Sequence, residues 1–530
     1  MDYSKTTLAE LREIAKNKGI KTVSGLKKSE LIAKINEADG SQNTQQIQPA
    51  QTQNNGGFAG HRPYVRKSIQ PGHTRPYEDS HQVYPERSYS QPQRDTGVNT
   101  DRMSQSEIAQ LLNNVQDPEG RIDLDIARTF DSGITKTGIL EILPDGFGFI
   151  RCDNFLPGED DVYVSPSQIR KYQLRKGDMI TGNTKAKTGA EKFSALLYIK
   201  NINGFPVSST ENRPKFENLT PIFPNKRIRL ETTPEITATR LVDLISPIGK
   251  GQRGMIVSQP KAGKTTLLKQ IAKAVLKNNP EMHIIILLID ERPEEVTDMK
   301  DSIQGDNVEI IYSTFDESPD NHKRVSEMVI DRAKRLVEHK MDVMILLDSI
   351  TRLARAYNLT VQSSGRTLSG GLDPAALLMP KKFFGAARNM REGGSLTILA
   401  TALVDTGSRL DDMVFEEFKG TGNMELVLDR SLAEKRIFPA IDLLKSGTRK
   451  DDLLLDNSEQ TANVLIKRAL KSKNTDEQLL NIINLFKNTK NNVETISEIM
   501  GKFPDMLERQ GGKVAKTPAP RKYFSSDEDN

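Results

Sequence analysis

The sequence predicts a multidomain chain that comprises a small N-terminal helical module, a small β-barrel and an α/β domain built on a parallel sheet. Its 530 residues are enough for about three folded units of roughly 100 to 200 residues each. Residues 137–204 form short β-type segments separated by Gly, Pro and Asp, which is typical of a small barrel. From Asn218 onward, Val/Ile/Leu-rich segments alternate with helical ones, and this alternation indicates a parallel α/β core.

The N-terminal part of the chain divides into two segments of different character. Residues 1–38 carry Leu and Ile at helical spacing with breaks at Gly19 and Gly25, so we expect two short helices. This module either contacts nucleic acid or serves only as a packing unit. Residues 39–102 are rich in Gln, Asn, Ser and Arg and poor in aliphatic residues, so we expect a disordered insert. Its Arg and Tyr residues suit RNA binding, and a plain tether is the simpler interpretation.

The remaining segments connect or extend the folded units. Residues 103–136 are predicted to form a helical connection to the barrel at 137–204, and residues 205–235 a linker. The α/β domain then covers residues 236–510. Residues 511–530 are Lys/Pro-rich and then acidic, which predicts a disordered tail.

Composition restricts the class of protein without identifying a partner. The 75 Lys and Arg nearly balance the 71 Asp and Glu, so any nucleic-acid site must be local. The single cysteine, Cys152, excludes an intramolecular disulfide and agrees with a reducing cytoplasm. The N-terminus lacks the order of a signal peptide, and apolar runs such as 284–289 are far shorter than the ~20 residues that span a bilayer. We therefore expect a soluble cytoplasmic protein without a membrane partner.

The strongest local motif is GMIVSQPKAGKTT at residues 254–266, a strand that runs into a Gly-containing loop and a helix starting near Lys264. Backbone N–H groups of such a loop stabilise phosphate oxygens, Lys264 reaches the β- and γ-phosphates, and the Thr265 hydroxyl ligates magnesium. Ser258 stands where the usual pattern begins with Gly, and a small residue still fits there. The motif predicts ATP and Mg²⁺ as ligands.

Two further apolar strands end in carboxylates. Residues 343–347 lead into Asp348, as expected of the acid that holds magnesium through water. Residues 284–289 lead into Asp290 and Glu291, and a carboxylate at a strand tip could polarise the attacking water. Glu291 is therefore our candidate general base, although an acid that caps the following helix would explain it as well.

In the barrel region, the sequence DGFGFIR at residues 145–151 places Phe147 and Phe149 on one face of a strand. Such a pair forms a stacking platform for bases, and Arg151 adds a cation, although paired aromatics are more often found in a core. The short strands suggest an OB-fold or cold-shock-like barrel, whose open face binds single strands.

Taken together, the motifs closely resemble the Rho family of bacterial transcription termination factors. The similarity extends from about residue 138 to 451. It rests on long stretches, which are DGFGFIR at 145–151, DVYVSPSQIR at 161–170, PKAGKT at 260–265, LIDERPEEVT at 288–297 and EEFKGTGNME at 416–425.

The resemblance implies a RecA-like α/β ATPase domain within a homohexameric ring, with ATP at the subunit interfaces. It implies that ATP contacts Lys261, Ala262, Gly263, Lys264, Thr265, Thr266 and Phe438. It implies that hydrolysis involves Glu291, its neighbour Arg292, the arginine finger Arg449 from the adjacent subunit and a second interface arginine, Arg436. It places magnesium at Thr265 and, through water, at Asp348. Without the resemblance, Arg436 and Arg449 are ordinary surface charges, and core packing explains Phe438 equally well.

The resemblance also implies two kinds of RNA site. The primary site comprises Phe147, Phe149, Arg151, Asp161, Tyr163, Glu191 and Phe193. Phe193 departs from the family, which commonly has Tyr there. Residues 362–371, here loop 1, and residues 406–409, here loop 2, resemble the pore loops of the family, with Arg366, Gly370, Gly371 and Arg409 as the RNA-contacting residues. Arg366 and Arg409 replace the familiar Lys, which keeps the charge but changes the geometry of phosphate binding.

The resulting hypothesis is an ATP-dependent RNA translocase and helicase that releases transcripts from RNA polymerase. One alternative is another RecA-like ring ATPase, such as a rotary or secretion ATPase, and the aromatic barrel face argues against it. Another is a non-enzymatic RNA-binding or condensate-forming protein that depends on residues 39–102, and the intact phosphate motif argues against that as the main role.

Overall fold

The computed structural model describes residues 104–509, apart from 188–190, 211 and 472–474. The expectations for residues 1–38, 39–102 and 511–530 therefore lie outside the described residues. Within the described part, two leading helices precede a closed barrel and a large sheet covered by helices. None of the helices described there is long and apolar enough to cross a membrane.

The two leading helices are α1 (Gln105–Asn114) and α2 (Leu124–Phe130). Helix α1 begins at a capping box in which Ser104 and Glu107 each bond the other's backbone N–H. Both helices pack on the barrel through a small apolar cluster that includes Leu197. The first barrel strand begins directly after α2, upstream of the boundary predicted at residue 137.

The barrel is closed, with strand order β1-β2-β3-β5-β4. Its strands are β1 (Asp131–Ile142), β2 (Gly148–Arg151), β3 (Val162–Val164), β4 (Met179–Lys185) and β5 (Ser194–Ile202), and helix α3 (Pro166–Lys171) follows β3. Alternation along the short strands sends Val162 and Val164 into the core and leaves Tyr163 partly exposed. The barrel thus presents alternate side chains on its outer surface.

The large sheet has nine described strands, of which six are parallel in the order β11-β10-β12-β14-β9-β15. Its strands are β6 (Pro221–Ile222), β9 (Arg253–Ser258), β10 (His283–Glu291), β11 (Val308–Thr314), β12 (Asp342–Asp348), β13 (Arg388–Met390), β14 (Ser395–Leu403), β15 (Met424–Leu428) and β16 (Gly447–Thr448), while β7 (Arg227–Ile228) and β8 (Ile248–Gly249) form a separate pair. Because the central strands are apolar on both faces, they are buried between two layers of helices.

The helices of this domain cover both faces of the sheet. They are α4 (Thr237–Ile245), α5 (Lys264–Asn278), α6 (Pro293–Ser302), α7 (Pro319–Glu338), α8 (Ile350–Thr360), α9 (Leu378–Gly385), α10 (Arg409–Lys419), α11 (Arg430–Glu434), α12 (Asn457–Leu470), α13 (Thr475–Asn488) and α14 (Asn492–Arg509). One apolar core contains residues of α4, α5 and α12 to α14, and the other contains residues of α7 to α10. The fully buried Arg240 of α4 connects the last two helices, because it donates to the carbonyls of Phe486 and Thr489 at the end of α13 and to the hydroxyl of Thr495 in α14.

The barrel is fixed to the end of α7 by buried charges. Arg213, from the predicted linker, donates to Asp178 of the barrel at 2.5 Å and lies 3.3 Å from the Glu338 carboxylate. All three side chains are at most 1% exposed. Because the loss of one partner leaves a buried charge without compensation, which typically costs about 3–5 kcal/mol, this contact holds the barrel in one orientation on the sheet.

Candidate active site and nucleic-acid interface

The phosphate loop connects the carboxyl end of β9 to α5. Lys261 and Gly263 have positive φ angles, 67° and 91°, and only glycine adopts the latter without strain. Because no side chain caps α5 at Gly263, the first N–H groups of the helix remain directed at the loop. The Ser258 hydroxyl, which is fully buried, donates to the Gln259 carbonyl at 2.8 Å. The departure from glycine at this position therefore fits the turn.

The side chains of the loop differ in accessibility. Lys261 and Thr266 are exposed, Ala262 is buried, and Lys264 and Thr265 are partly buried at the mouth of the loop. This arrangement leaves the backbone and two polar side chains facing the space above the sheet edge, as binding of a polyphosphate requires.

Asp348 lies at the tip of β12, where it is 2% exposed. Its Oδ1 accepts hydrogen bonds from Lys264 Nζ at 2.6 Å and from Thr401 Oγ1 of β14 at 2.8 Å. The residues present fit magnesium, because the Thr265 hydroxyl and the Asp348 carboxylate supply hard oxygen donors beside the loop. Mg²⁺ usually takes only one or two protein carboxylates and completes its shell with water and phosphate. The described residues contain no group of three or more His, Cys, Asp or Glu that could hold a metal ion.

Glu291 lies at the tip of the neighbouring strand β10 and is 5% exposed. Burial and the nearby Asp348 carboxylate raise the pKa of Glu291 to about 7, although Lys264 and Arg352 act in the opposite direction. Its Oε2 atom is buried without a hydrogen-bond partner among the described residues. A carboxylate with a pKa near neutrality and a free acceptor atom is suited to receive a proton from water.

Sequence reasoning missed two residues of this site, Arg352 and Thr401. The guanidinium of Arg352, in the first turn of α8, lies 3.2 Å from Asp290 and 3.9 Å from Glu291 Oε2. It thus places a positive charge beside the candidate base. No local signal marks Thr401, because its contact with Asp348 depends on β14 lying next to β12 in the sheet.

The three predicted arginines are all exposed, and they occupy different places. Arg292 directly follows Glu291 and is the N-cap residue of α6. Arg436 follows α11, beyond the carboxyl end of β15. Arg449 follows β16, whose register with β15 pairs Thr448 with Met424 at the amino end of that strand. The phosphate loop is at the opposite end of β9, so the structure does not bring Arg449 to the loop of its own chain.

Phe438 belongs to the segment that follows α11 at the same sheet edge as the phosphate loop. The ring is 49% exposed, whereas the neighbouring Ile437 is 8% exposed and packs in the core. An exposed aromatic ring at this edge is available for stacking, and packing in the core does not account for it.

The predicted platform on the barrel forms a continuous aromatic cluster. Phe147, Phe149 and Tyr163 have ring centroids 5.7–6.0 Å apart, and Phe193 lies 5.1 Å from Phe149. All four are partly exposed. Lys192 lies 5.2 Å from the Phe193 ring, so the edge of the cluster also carries a cation. The cluster presents π-faces together with positive charge, the combination used to hold single-stranded nucleic acid.

The charged residues of the predicted primary site lie at two levels. The Arg151 guanidinium is 4.9 Å from the Phe149 centroid and is buried in ion pairs with Glu141 at 2.6 Å and Asp161 at 2.5 Å. Because both carboxylates bind the Arg151 guanidinium, Arg151 and Asp161 support the platform from beneath. Glu191 is exposed and lies 3.5 Å from Lys185.

Loop 1 and loop 2 contact each other. A Cβ atom at Gly370, where φ is +79°, would lie 2.7 Å from the carbonyl carbon of Arg409, so only glycine allows this approach. The buried Asp373 anchors the other side of loop 1 by accepting hydrogen bonds from the backbone and hydroxyl of Ser364. Arg366 and Arg409 are both exposed. The structure thus joins two arginine-bearing loops into one surface.

Three family models match the chain. The Rho termination factor RNA-binding domain matches residues 136–208, and the Rho termination factor N-terminal domain matches residues 2–44. The nucleotide-binding domain of the ATP synthase alpha/beta family matches residues 238–448. These matches confirm the predicted barrel and ATPase folds, and the third agrees with the parallel sheet and phosphate loop described above.

Curated relatives cover about two thirds of the chain. Transcription termination factor Rho of Thermotoga maritima is 56% identical over 364 residues, which are 68% of this chain and 84% of the relative. The factor of Bacillus subtilis is 54% identical over 363 residues, 66% of this chain and 84% of the relative. A solved ATPase of a type III secretion system of pathogenic bacteria aligns at 21% identity and a TM-score of 0.45, covering 54% of this chain and 88% of that chain. The identity and coverage of the curated relatives show that this chain belongs to the Rho family of transcription termination factors.

Proposed function

We propose that this chain is an RNA-dependent ATPase that translocates along single-stranded RNA as a homohexameric ring and terminates transcription by releasing transcripts from RNA polymerase. The observation that carries the proposal is the aromatic cluster of the barrel, fixed by buried ion pairs to a sheet whose edge holds the phosphate loop and two carboxylates. A ring ATPase that does not bind RNA does not need an exposed aromatic cluster on its barrel. The proposed role places the protein in the cytoplasm with the transcription machinery.

In the proposed mechanism, the loop backbone and Lys264 bind the phosphates of ATP, and Phe438 stacks on the adenine. Glu291 accepts a proton from the attacking water, and Arg352 keeps part of the acid population ionised by lowering its pKa. Thr265 and, through water, Asp348 would hold magnesium, which would neutralise charge on the phosphates.

The catalytic site is completed by a second subunit. Arg449 lies at the far end of β15 from the loop of its own chain, so it serves the nucleotide of a neighbour. Such an arginine finger typically accelerates phosphoryl transfer roughly 10³- to 10⁵-fold. Arg436 is the second arginine assigned to this interface, and Arg292 extends the positive charge next to Glu291.

RNA is bound at two places in this proposal. The aromatic cluster captures single strands by stacking, with little sequence selectivity beyond a pyrimidine bias. Arg366 and Arg409 bind the phosphate backbone inside the ring. Because Gly370 packs on the backbone of loop 2, the two loops move together during hydrolysis.

The test is ATP hydrolysis by the purified chain with and without poly(C) RNA at a stated salt concentration, because phosphate contacts are salt-sensitive. We expect strong stimulation by RNA. Lys264→Ala abolishes the stimulated activity but keeps RNA bound to the barrel, whereas Phe147→Ala weakens RNA capture and keeps ATP binding. Turnover that is indifferent to RNA would instead identify another RecA-like ATPase, and stimulation followed by transcript release in a termination assay would establish the full function.

A further inference from the structure

Asn154, in the barrel loop that follows β2, makes a two-point contact with the large sheet. Its Nδ2 donates to the Tyr312 carbonyl at 2.7 Å, and its Oδ1 accepts from the Tyr312 backbone N–H at 3.1 Å. Tyr312 belongs to β11, the outermost strand of the sheet. The amide thus occupies the hydrogen-bonding position that a further strand would take. A paired donor and acceptor fix direction as well as distance, so the contact sets the orientation of this loop.

The contact with Asn154 lies close to the candidate base. Tyr312 is two positions before Thr314, which pairs with Glu291 in the register of β10 and β11. The next residue, Phe315, donates its backbone N–H to the Glu291 carbonyl at 3.1 Å. A displacement of β11 by the barrel loop therefore acts on the backbone that carries Glu291.

A second contact joins the underside of the RNA platform to α7. Glu141 of β1 binds Arg151, which packs beneath Phe149, and also lies 3.4 Å from Arg324 Nε of α7. We expect a base that stacks on Phe149 to displace Arg151 and, through Glu141, Arg324. Arg324 follows His322 of α7 by two positions, and His322 Nδ1 lies 2.7 Å from the hydroxyl of Ser313, the residue before Thr314 in β11. Both contacts thus connect the barrel to the strand beside Glu291.

We propose that Asn154 and Arg324 are positioning residues that transmit RNA occupancy of the barrel to the Glu291 edge of the motor, an inference that rests on the function proposed above. The two contacts are not what keeps the barrel attached. The adjacent Phe155 packs in the core below the sheet, and Asp178, Arg213 and Glu338 hold the barrel to the far end of α7. Loss of the Asn154 amide therefore leaves the domains docked.

The experiment compares RNA-stimulated turnover with RNA affinity in the full chain. Asn154 has a φ of 44°, which Gly and Asp also accept, so Asn154→Gly removes the amide without adding backbone strain. Its affinity for a pyrimidine oligonucleotide and its turnover without RNA should equal those of the parent, while RNA stimulation falls about fivefold, as expected for loss of a hydrogen-bond pair. Arg324→Gln should act in the same direction. Lys334→Ala, which breaks an exposed ion pair between α7 and Glu217, is the matched control and should change nothing.

Asn154→Asp separates positioning from a role in stability alone. The carboxylate still accepts from the Tyr312 N–H but repels its carbonyl, so the stimulation ratio should fall further than in Asn154→Gly. A purely structural role predicts equal ratios for Asn, Gly and Asp at temperatures well below unfolding, and that result would overturn the proposal. If RNA does not stimulate ATP turnover of the parent chain, the proposed function itself is overturned. This outcome is distinct because it is measured before any substitution is made.

Discussion

Glu291→Gln should stabilise the protein at alkaline pH while abolishing its activity. The pKa of Glu291 is raised from 4.5 to about 7 by burial and by Asp348. The folded state therefore binds this proton more tightly than the unfolded state, so the associated stability is present below pH 4.5 and is lost as pH rises through about 7. Each pKa unit corresponds to about 1.4 kcal/mol, so ionisation of Glu291 costs on the order of 3 kcal/mol above neutrality. Gln cannot ionise and avoids this cost.

The assay is thermal unfolding of the nucleotide-free chain across pH. The Tm of the variant should exceed that of the parent by roughly 5 °C at about pH 8.5, and the difference should shrink towards zero at about pH 5. Glu294→Gln, an exposed acid in the first turn of α6, is the control and should show no such trend. ATP turnover of Glu291→Gln should fall by roughly 10² or more, with ATP binding retained. Identical pH profiles of Tm for the variant and the parent would refute the raised pKa.

Three further substitutions test the remaining parts of the site. Arg449→Ala should lower hydrolysis roughly 10³-fold or more without loss of ATP binding. Mixing this variant with Lys264→Ala chains should restore activity, because one of the two kinds of interface between them combines an intact Lys264 with an intact Arg449. No recovery would place Arg449 outside the site. Phe147→Ala should weaken binding of a fluorescent RNA oligonucleotide by roughly 1–3 kcal/mol, and an unchanged anisotropy titration would exclude a stacking role. Gly370→Ala should reduce RNA-stimulated turnover more than Gly371→Ala, because φ is about 80° at both positions but only a Cβ at Gly370 meets the backbone of loop 2; equal effects would show that backbone strain alone matters.

The nucleotide edge was largely predictable because its signals are local in sequence. The phosphate loop needs glycine and lysine at fixed spacing, and the strands that precede Glu291 and Asp348 can be recognised in the sequence as short apolar runs. Since the carboxyl ends of parallel strands share one edge, the meeting of these residues follows from the fold class. The structure places Lys264 Nζ 2.6 Å from Asp348 Oδ1, as that reasoning requires.

The contacts that depend on tertiary neighbours were not predictable. Arg352 and Asn154 lie in ordinary local sequence, and their roles arise from the strand order and from the docking of the barrel on β11. Arg151 was not predictable in this respect either. The sequence predicts it as a surface cation, and only the structure shows that it forms ion pairs with Glu141 and Asp161. Charge in a sequence does not reveal whether its partner is RNA or another side chain.

Asp348 lies between the supports of loop 1 and loop 2, the two loops that we propose bind RNA. Helix α8 begins two residues after Asp348 and leads into loop 1, while Thr401, which donates to Asp348, lies on β14 just before loop 2. In the proposed mechanism, a phosphate that draws Lys264 from Asp348 would change the hydrogen bonding at both supports. Because Gly370 packs on the backbone of loop 2, we expect the two loops to respond together. We therefore propose that coupling between ATP and RNA needs no long pathway within the motor, since the buried Asp348 carboxylate connects the phosphate loop to the supports of both loops.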